Sequence, residues 1–271
     1  MSEPRGGRLG PILTRKEHEN ARRTSHLRLH DPSAGPPATG RREQVHRALE
    51  RSSGTPVRVI AEVKFRSPSA GVIHPWSPGE AVRVAEGYET AGAAAVSVLA
   101  DGPGFGGGVL TVRRVSQRVS RPVLFKEFVL SGMQVDLARS VGASMVLLLV
   151  RALAPDVLCA LVQRCHDQGV EPVVEAANTR EVAVAAETGA RVIGVNARDL
   201  STFRVDPEAA AVALSRIPED RIRVYMSGVD RPEDLARVAD QGADAALVGT
   251  GLMRHADPGA RLAVLLNRAP R

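Results

Sequence analysis

The feature that most constrains this chain is a recurrence. From Val57 onward, short apolar runs alternate with longer stretches of helical periodicity, and the alternation repeats eight times. The runs are Val57 to Val63, Ala95 to Leu99, Pro122 to Phe128, Met145 to Val150, Pro172 to Glu175, Val192 to Asn196, Ile222 to Met226 and Ala245 to Val248. Their starts lie roughly 20 to 38 residues apart, the spacing of strand–helix units. Parallel strands need crossovers of that kind, and eight units in about 200 residues fit an α/β fold closed as a (βα)8 TIM barrel. A doubly wound open sheet alternates the same elements and is the other architecture compatible with the pattern. Four runs are preceded by the same punctuation: Ala91-Gly92-Ala93, Val141-Gly142-Ala143, Thr188-Gly189-Ala190 and Gln241-Gly242-Ala243. Each reads as a helix end with Gly at the turn.

Residues 1–51 read as an N-terminal helical extension, and 52–271 as the barrel and single catalytic domain. Within the extension, a charged helix is expected over 11–23 and another from Arg42 to Arg51. The Pro- and Gly-rich stretch Asp31 to Gly40 between them reads as a linker. Aromatic residues make up only 3% of the chain, which leaves Ala, Val and Leu to fill the layers of a barrel. The net charge of +6 is scattered and weighted to the N-terminal 51 residues. With few rings for base stacking and no helix-turn-helix or RNA-binding signature, nucleic acid is a poor partner; an anionic small molecule needs far less charge. Cys159 and Cys165, the two cysteines, suggest neither a disulfide framework nor a zinc site and read as buried thiols. No apolar run reaches the ~18 residues that would span a membrane, and the N-terminus lacks an apolar signal core, so the compartment is most simply the cytoplasm.

In such a barrel, chemistry belongs at the C-terminal ends of the strands, and polar residues collect there. The first run carries Glu62 and Lys64, two apart and therefore on one face of a strand. The third ends in Lys126 and Phe128, the fifth in Glu175, and the sixth in Asn196 followed by Arg198. After the seventh and eighth come Ser227-Gly228 and Gly249-Thr250-Gly251, small residues whose N–H groups can face a phosphate, aided by a short helix over Gly251 to Arg254. Ser67-Pro68-Ser69-Ala70-Gly71 supplies hydroxyls where the first strand turns. The loop from Gly102 to Gly108 matches Gly-x-Gly-x-x-Gly formally, but it follows the second run and lacks the later acidic residue. It reads as a mobile lid carrying Phe105 and not as a dinucleotide site. His74, seven residues past Ser67, reads as solvated.

These motifs together resemble the indole-3-glycerol phosphate synthase family. The likeness is carried by Ile60-Ala61-Glu62-Val63-Lys64 with Ser67 to Gly71, Leu124-Phe125-Lys126-Glu127-Phe128, Glu171-Pro172-Val173-Val174-Glu175, Gly194-Val195-Asn196-Ala197-Arg198-Asp199-Leu200 and Val248-Gly249-Thr250-Gly251-Leu252-Met253. The resemblance implies a lyase that closes an indole ring on a carboxyphenylamino-deoxyribulose phosphate, releasing CO2 and water, with no metal or organic cofactor. By resemblance Lys126 is the general acid for ring closure, Lys64 binds the anionic substrate and assists proton transfer, Glu175 is an acid/base in dehydration, and Glu62 orients both lysines. Asn196, Arg198, Phe105 and Phe128 would hold the substrate, and Ser67, Ser227, Gly228, Gly249 and Thr250 its phosphate. The expected assembly is a monomer or weak homodimer.

The chain also departs from the family. Met226-Ser227-Gly228 stands where the family has Glu-Ser-Gly, the lid lacks the family's Thr and final Ser, and Phe65 replaces a usual basic residue. Met226 then marks a slower standard reaction, a diverged enzyme for a modified arylamine or other sugar-phosphate adduct, or a barrel that binds a phosphate ligand without turnover.

Overall fold

The structure, a computed structural model, describes residues 9–26, 40–52, 54–199 and 202–267. The extension contributes helices α1 (Leu9–His26) and α2 (Arg41–Leu49); the linker read between them lies, save for Gly40, outside the described residues. Strand β1 (Arg58–Val63) leads into a hairpin, β2 (Arg66–Ser67) and β3 (Gly71–Val72), before α3 (Glu80–Ala91) and β4 (Ala95–Leu99). A one-turn α4 (Gly102–Phe105) precedes α5 (Val109–Ser116), β5 (Val123–Lys126), α6 (Gly132–Ser140) and β6 (Met145–Leu149). A 3-10 turn then leads to α7 (Pro155–Asp167), β7 (Glu171–Ala176), α8 (Thr179–Glu187), β8 (Val192–Asn196) and α9 (Pro207–Leu214). The chain finishes with β9 (Ile222–Met226), α10 (Pro232–Asp240), β10 (Ala245–Val248), α11 (Thr250–Met253) and α12 (Pro258–Leu265).

Eight strands pair in parallel around a closed ring in the order β1-β10-β9-β8-β7-β6-β5-β4, with β4 returning to β1. Closure removes the open-sheet alternative. The turns expected from Gly92, Gly142, Gly189 and Gly242 are present, each with φ between 79° and 101°, where a side chain would be strained.

Period-two alternation divides every strand between two apolar layers. On β1, Val59, Ala61 and Val63 face the surrounding helices, in one cluster with Val84, Ala85 and Tyr88 of α3. Ile60 faces inward, in a cluster with Leu124, Met145, Leu147, Val173, Val192, Val224 and Leu247. The inner cluster also includes Val45 and Leu49 of α2, both fully buried, so α2 contributes to the barrel's interior. Polar bonds set α2 against the N-terminal ends of the strands: Arg42 Nε donates to Glu171 Oε2 (2.7 Å) and Arg41 Nη1 to the Ala143 carbonyl (3.2 Å).

Two sequence readings are corrected. Cys165 is buried, but Cys159 is exposed. Six residues on a helix amount to about 240° of rotation, and the buried face of α7 holds Leu158, Leu161, Val162 and Cys165. His74 is not solvated but 7% exposed: its Nδ1 lies 2.9 Å from the Met253 carbonyl and its Nε2 2.9 Å from Glu80 Oε1. Those two contacts hold the imidazole, on the loop after β3, between α11 and the first turn of α3.

Candidate active site

Because β1 alternates, Glu62 and Lys64 emerge on its inner face at the C-terminal rim, and Lys64 Nζ donates to Glu62 Oε1 at 2.7 Å. Glu62 Oε2 accepts from Ser97 of β4 at 3.3 Å. Burial alone would push the Glu62 carboxyl up, yet the ammonium groups of Lys64 and Lys126, with the bonds from Lys64 and Ser97, hold it below the usual range. Across the ring, Lys126 Nζ donates to Glu175 Oε2 at 3.2 Å, and Glu175 Oε1 accepts from Asn196 Nδ2 at 2.9 Å. Asn196 Oδ1 in turn accepts from the Arg198 backbone N–H at 3.0 Å, and Arg198 Nη1 donates to the Phe203 carbonyl at 2.9 Å. Three strands, β1, β5 and β7, thus present two ammonium–carboxylate pairs, supported by Ser97 of β4 and Asn196 of β8.

These groups share one cavity of about 570 Å³. Glu62, Lys64, Lys126, Glu175, Asn196, Arg198, Phe105, Phe128, Met226, Ser67, Ser227 and Thr250 all line it. Phe105 and Phe128 face each other with ring centroids 6.1 Å apart, an aromatic wall on one side. Ser67 Oγ accepts from the Ala70 N–H at 3.1 Å, folding the β2–β3 turn at the lip of the cavity. Ser227 takes φ 71°, a left-handed conformation rare for a residue with a Cβ, and strain of this kind concentrates at ligand-holding turns.

Gly228 and Gly249 are absent from the lining of this cavity, and Gly228 lines a neighbouring one with Val205 and Asp206. A Cβ on Gly228 would lie 2.9 Å from Val205 Cγ1, and one on Gly249 2.6 Å from Glu62 Oε1. Gly249 thus leaves room for the Glu62 carboxylate. Met226 is only 1% exposed; its methyl would lie 2.3 Å from a Cβ on Gly194, so the thioether lies across the one inward position of β8 that has no side chain.

The loop from Gly102 to Gly108 folds down as α4, capped by Asp101, whose Oδ2 accepts from the Gly104 N–H at 2.7 Å. A Cβ on Gly107 would fall 1.9 Å from the Leu99 carbonyl oxygen, so a glycine there serves close backbone approach to the strand end. Arg66 holds the same turn by donating to the carbonyls of Gly102 and Pro103. Sequence reasoning missed the apolar floor of Leu99, Leu147, Leu149 and Leu247, and the rim residues Thr202 and Phe203, while Arg254, the end of the short helix expected beside the phosphate, does line the cavity. The leucines were legible as inward positions of strands already recognised; Thr202 and Phe203 sit in a loop without a periodic signal.

Fold and site together define the class: a (βα)8-barrel enzyme whose C-terminal rim presents paired acids and bases to a small molecule. The family model for indole-3-glycerol phosphate synthase matches residues 12–265. A protein of that name from Mycobacterium ulcerans (strain Agy99) is 42% identical over 210 residues, covering 78% of this chain and 76% of its own. Another from Parafrankia sp. (strain EAN1pec) is 44% identical over 202 residues, 74% of this chain and 75% of its own. The chain belongs to the indole-3-glycerol phosphate synthase family. Among solved structures, 3-hexulose-6-phosphate synthase from Salmonella typhimurium superposes with a TM-score of 0.61 at 16% identity, covering 78% of this chain and 99% of that one, a likeness of fold alone.

Proposed function

We propose that this barrel closes an indole ring on a carboxyphenylamino-deoxyribulose phosphate, releasing CO2 and water. The observation that carries the reading is the convergence of Lys64, Lys126 and Glu175 on one cavity with an aromatic wall on one side and small hydroxyl residues at its lip. The aryl ring lies against Phe105 and Phe128. The phosphate reaches Ser67, Ser227 and Thr250, and Lys64 balances its charge; Gly228 and Gly249, outside the lining, shape the turns that carry Ser227 and Thr250. Lys126, an ammonium paired with Glu175, protonates the ribulose carbonyl as the carboxyl-bearing aromatic carbon attacks it. Loss of CO2 restores the ring's aromaticity. Glu175 then accepts the proton whose removal forms the new double bond, while an ammonium protonates the departing hydroxyl, which leaves as water. Glu62 keeps Lys64 pointed inward, and Asn196 holds Glu175 in register.

Incubating the protein with that substrate and following indole fluorescence tests the reading. Wild type should produce signal, and Lys126→Ala should lose at least about 100-fold in kcat. Equal signal from both, or none from wild type, would count against it. One observation favours a second reading. Met226 is apolar and buried across Gly194, so the barrel floor beside the dehydration pair carries no further carboxylate at this position. A substrate with a modified aryl ring would suit that surface. In that case Met226→Glu raises the standard activity and lowers that on the modified substrate; a fall in both removes this second reading.

A further inference from the structure

Helix α1 lies outside the ring, yet its polar face reaches the catalytic rim from behind. Lys16 is 1% exposed, and its ammonium meets three carboxylates: Glu19 Oε2 at 2.7 Å, Asp101 Oδ1 at 3.1 Å and Glu127 Oε2 at 3.0 Å. The last two belong to the rim. Asp101 uses its other oxygen to cap α4, the turn that carries Phe105. Glu127 sits between Lys126 and Phe128, and its other oxygen accepts from the Phe128 N–H at 2.8 Å. Two neighbours on α1 repeat the arrangement. Arg15 Nη2 donates to Asp101 Oδ1 at 2.6 Å, and Asn20 Nδ2 to Gln134 Oε1 at 2.7 Å. Gln134 in turn bonds the Phe128 carbonyl (2.9 Å) and the Leu130 N–H (2.8 Å).

We propose that Lys16 is a positioning residue for the aryl half of the substrate: by holding Asp101 and Glu127 together, its buried ammonium fixes the separation of Phe105 and Phe128. The proposal rests on the reading that the substrate carries an aromatic ring. A mere fastening for α1 would need no charge. Buried ion pairs seldom stabilise more than apolar residues of the same volume, so they are weak evidence for a stabilising role. Here both rim carboxylates turn their second oxygens to the backbone of the segments that bear the two rings, a use of geometry that an apolar contact could not make. Burial pushes the Glu127 carboxyl up while Lys16 pulls it down. Without the ammonium, burial and the Asp101 charge are opposed only by the Phe128 N–H, and Glu127 no longer ties α1 to Phe128.

Two measurements on the full chain test this. In the first, hydrogen exchange without any ligand compares wild type with Lys16→Met. Exchange should rise about tenfold or more across 101–108 and 128–130 and stay unchanged in β7 and β8. In the second, steady-state kinetics with the carboxyphenylamino-deoxyribulose phosphate form a double-mutant cycle with Phe105→Ala. Lys16→Met alone should raise KM roughly tenfold with kcat within about threefold, and the rise should shrink below about twofold when Phe105 is already gone. Unchanged exchange in those segments, or a KM effect of equal size in both backgrounds, overturns the proposal. Should Lys16→Met not fold, Glu127→Gln leaves Lys16 with two carboxylates, and it should raise KM about threefold with the same cancellation. If wild type does not turn this substrate over, the proposed function fails and the exchange result alone decides the role of Lys16.

Discussion

Glu62 shows how one side chain depends on its neighbours. It is buried, it is ionised because two ammonium groups face it, and it has space because position 249 has no Cβ. Gly249→Ala should therefore act on catalysis. A methyl 2.6 Å from Glu62 Oε1 pushes the carboxylate off Lys64, and kcat should fall at least about tenfold while the fold persists, as read by kinetics and circular dichroism. Acid titration gives a second expectation. The Glu62 carboxyl titrates lower in the folded chain than in the unfolded one, so between those two values the unfolded state binds more protons. Its contribution to stability is complete above the ordinary carboxyl value and is lost as pH falls through the folded-state value. Glu62→Gln should flatten that part of the acid limb in denaturation curves taken at successive pH; an unchanged limb would remove Glu62 as a contributor. The Glu62–Lys64 pair was legible because strand alternation fixes which face each residue takes. Lys16 was not, since its rim partners lie 85 and 111 residues away and no periodicity links them.

Among the elements, the lid shows glycines serving close backbone approach as well as turn formation. Its glycines read as flexibility, but Gly107 lies against the Leu99 carbonyl and α4 is capped, so the turn is folded onto the rim. Gly107→Ala would drive a methyl into backbone that cannot yield. It should destabilise the protein by about 1–3 kcal/mol in urea unfolding and raise KM, because Phe105 moves with α4. A variant with wild-type stability and KM would show that the close approach is absent in solution. The β2–β3 hairpin was hidden for a different reason. Its strands are two residues each, too short for alternation to register, and the Ser67-to-Gly71 stretch indicated only a turn.

For the whole molecule, eight recurring units were enough to infer a ring, since their order and spacing are written in local pattern. What pattern could not supply was where the extension goes. Helix α2 closes the N-terminal end and enters the inner apolar cluster, while α1 braces the catalytic rim. Neither placement has a signature, because each depends on surfaces that exist only once the ring has formed. If α2 is part of the core, Leu49→Ala should cost about 2–5 kcal/mol, as a cavity in any other core site would, and urea unfolding should stay a single transition. A loss under ~1 kcal/mol would mean that α2 only rests on the surface.

The central claim is that one rim, whose paired acids and bases come from β1, β5 and β7, carries out both carbon–carbon bond formation and dehydration. The most direct measurement is a single-turnover reaction using substrate labelled with 13C at the aryl carboxyl, quenched in time and analysed for labelled CO2 and indole product together. The account predicts one CO2 for each indole formed by wild type, neither from Lys126→Met, and from Glu175→Gln release of CO2 ahead of indole as the undehydrated ring accumulates. Release of CO2 by Lys126→Met at the wild-type rate, or indole appearing in step with CO2 in Glu175→Gln, would contradict it.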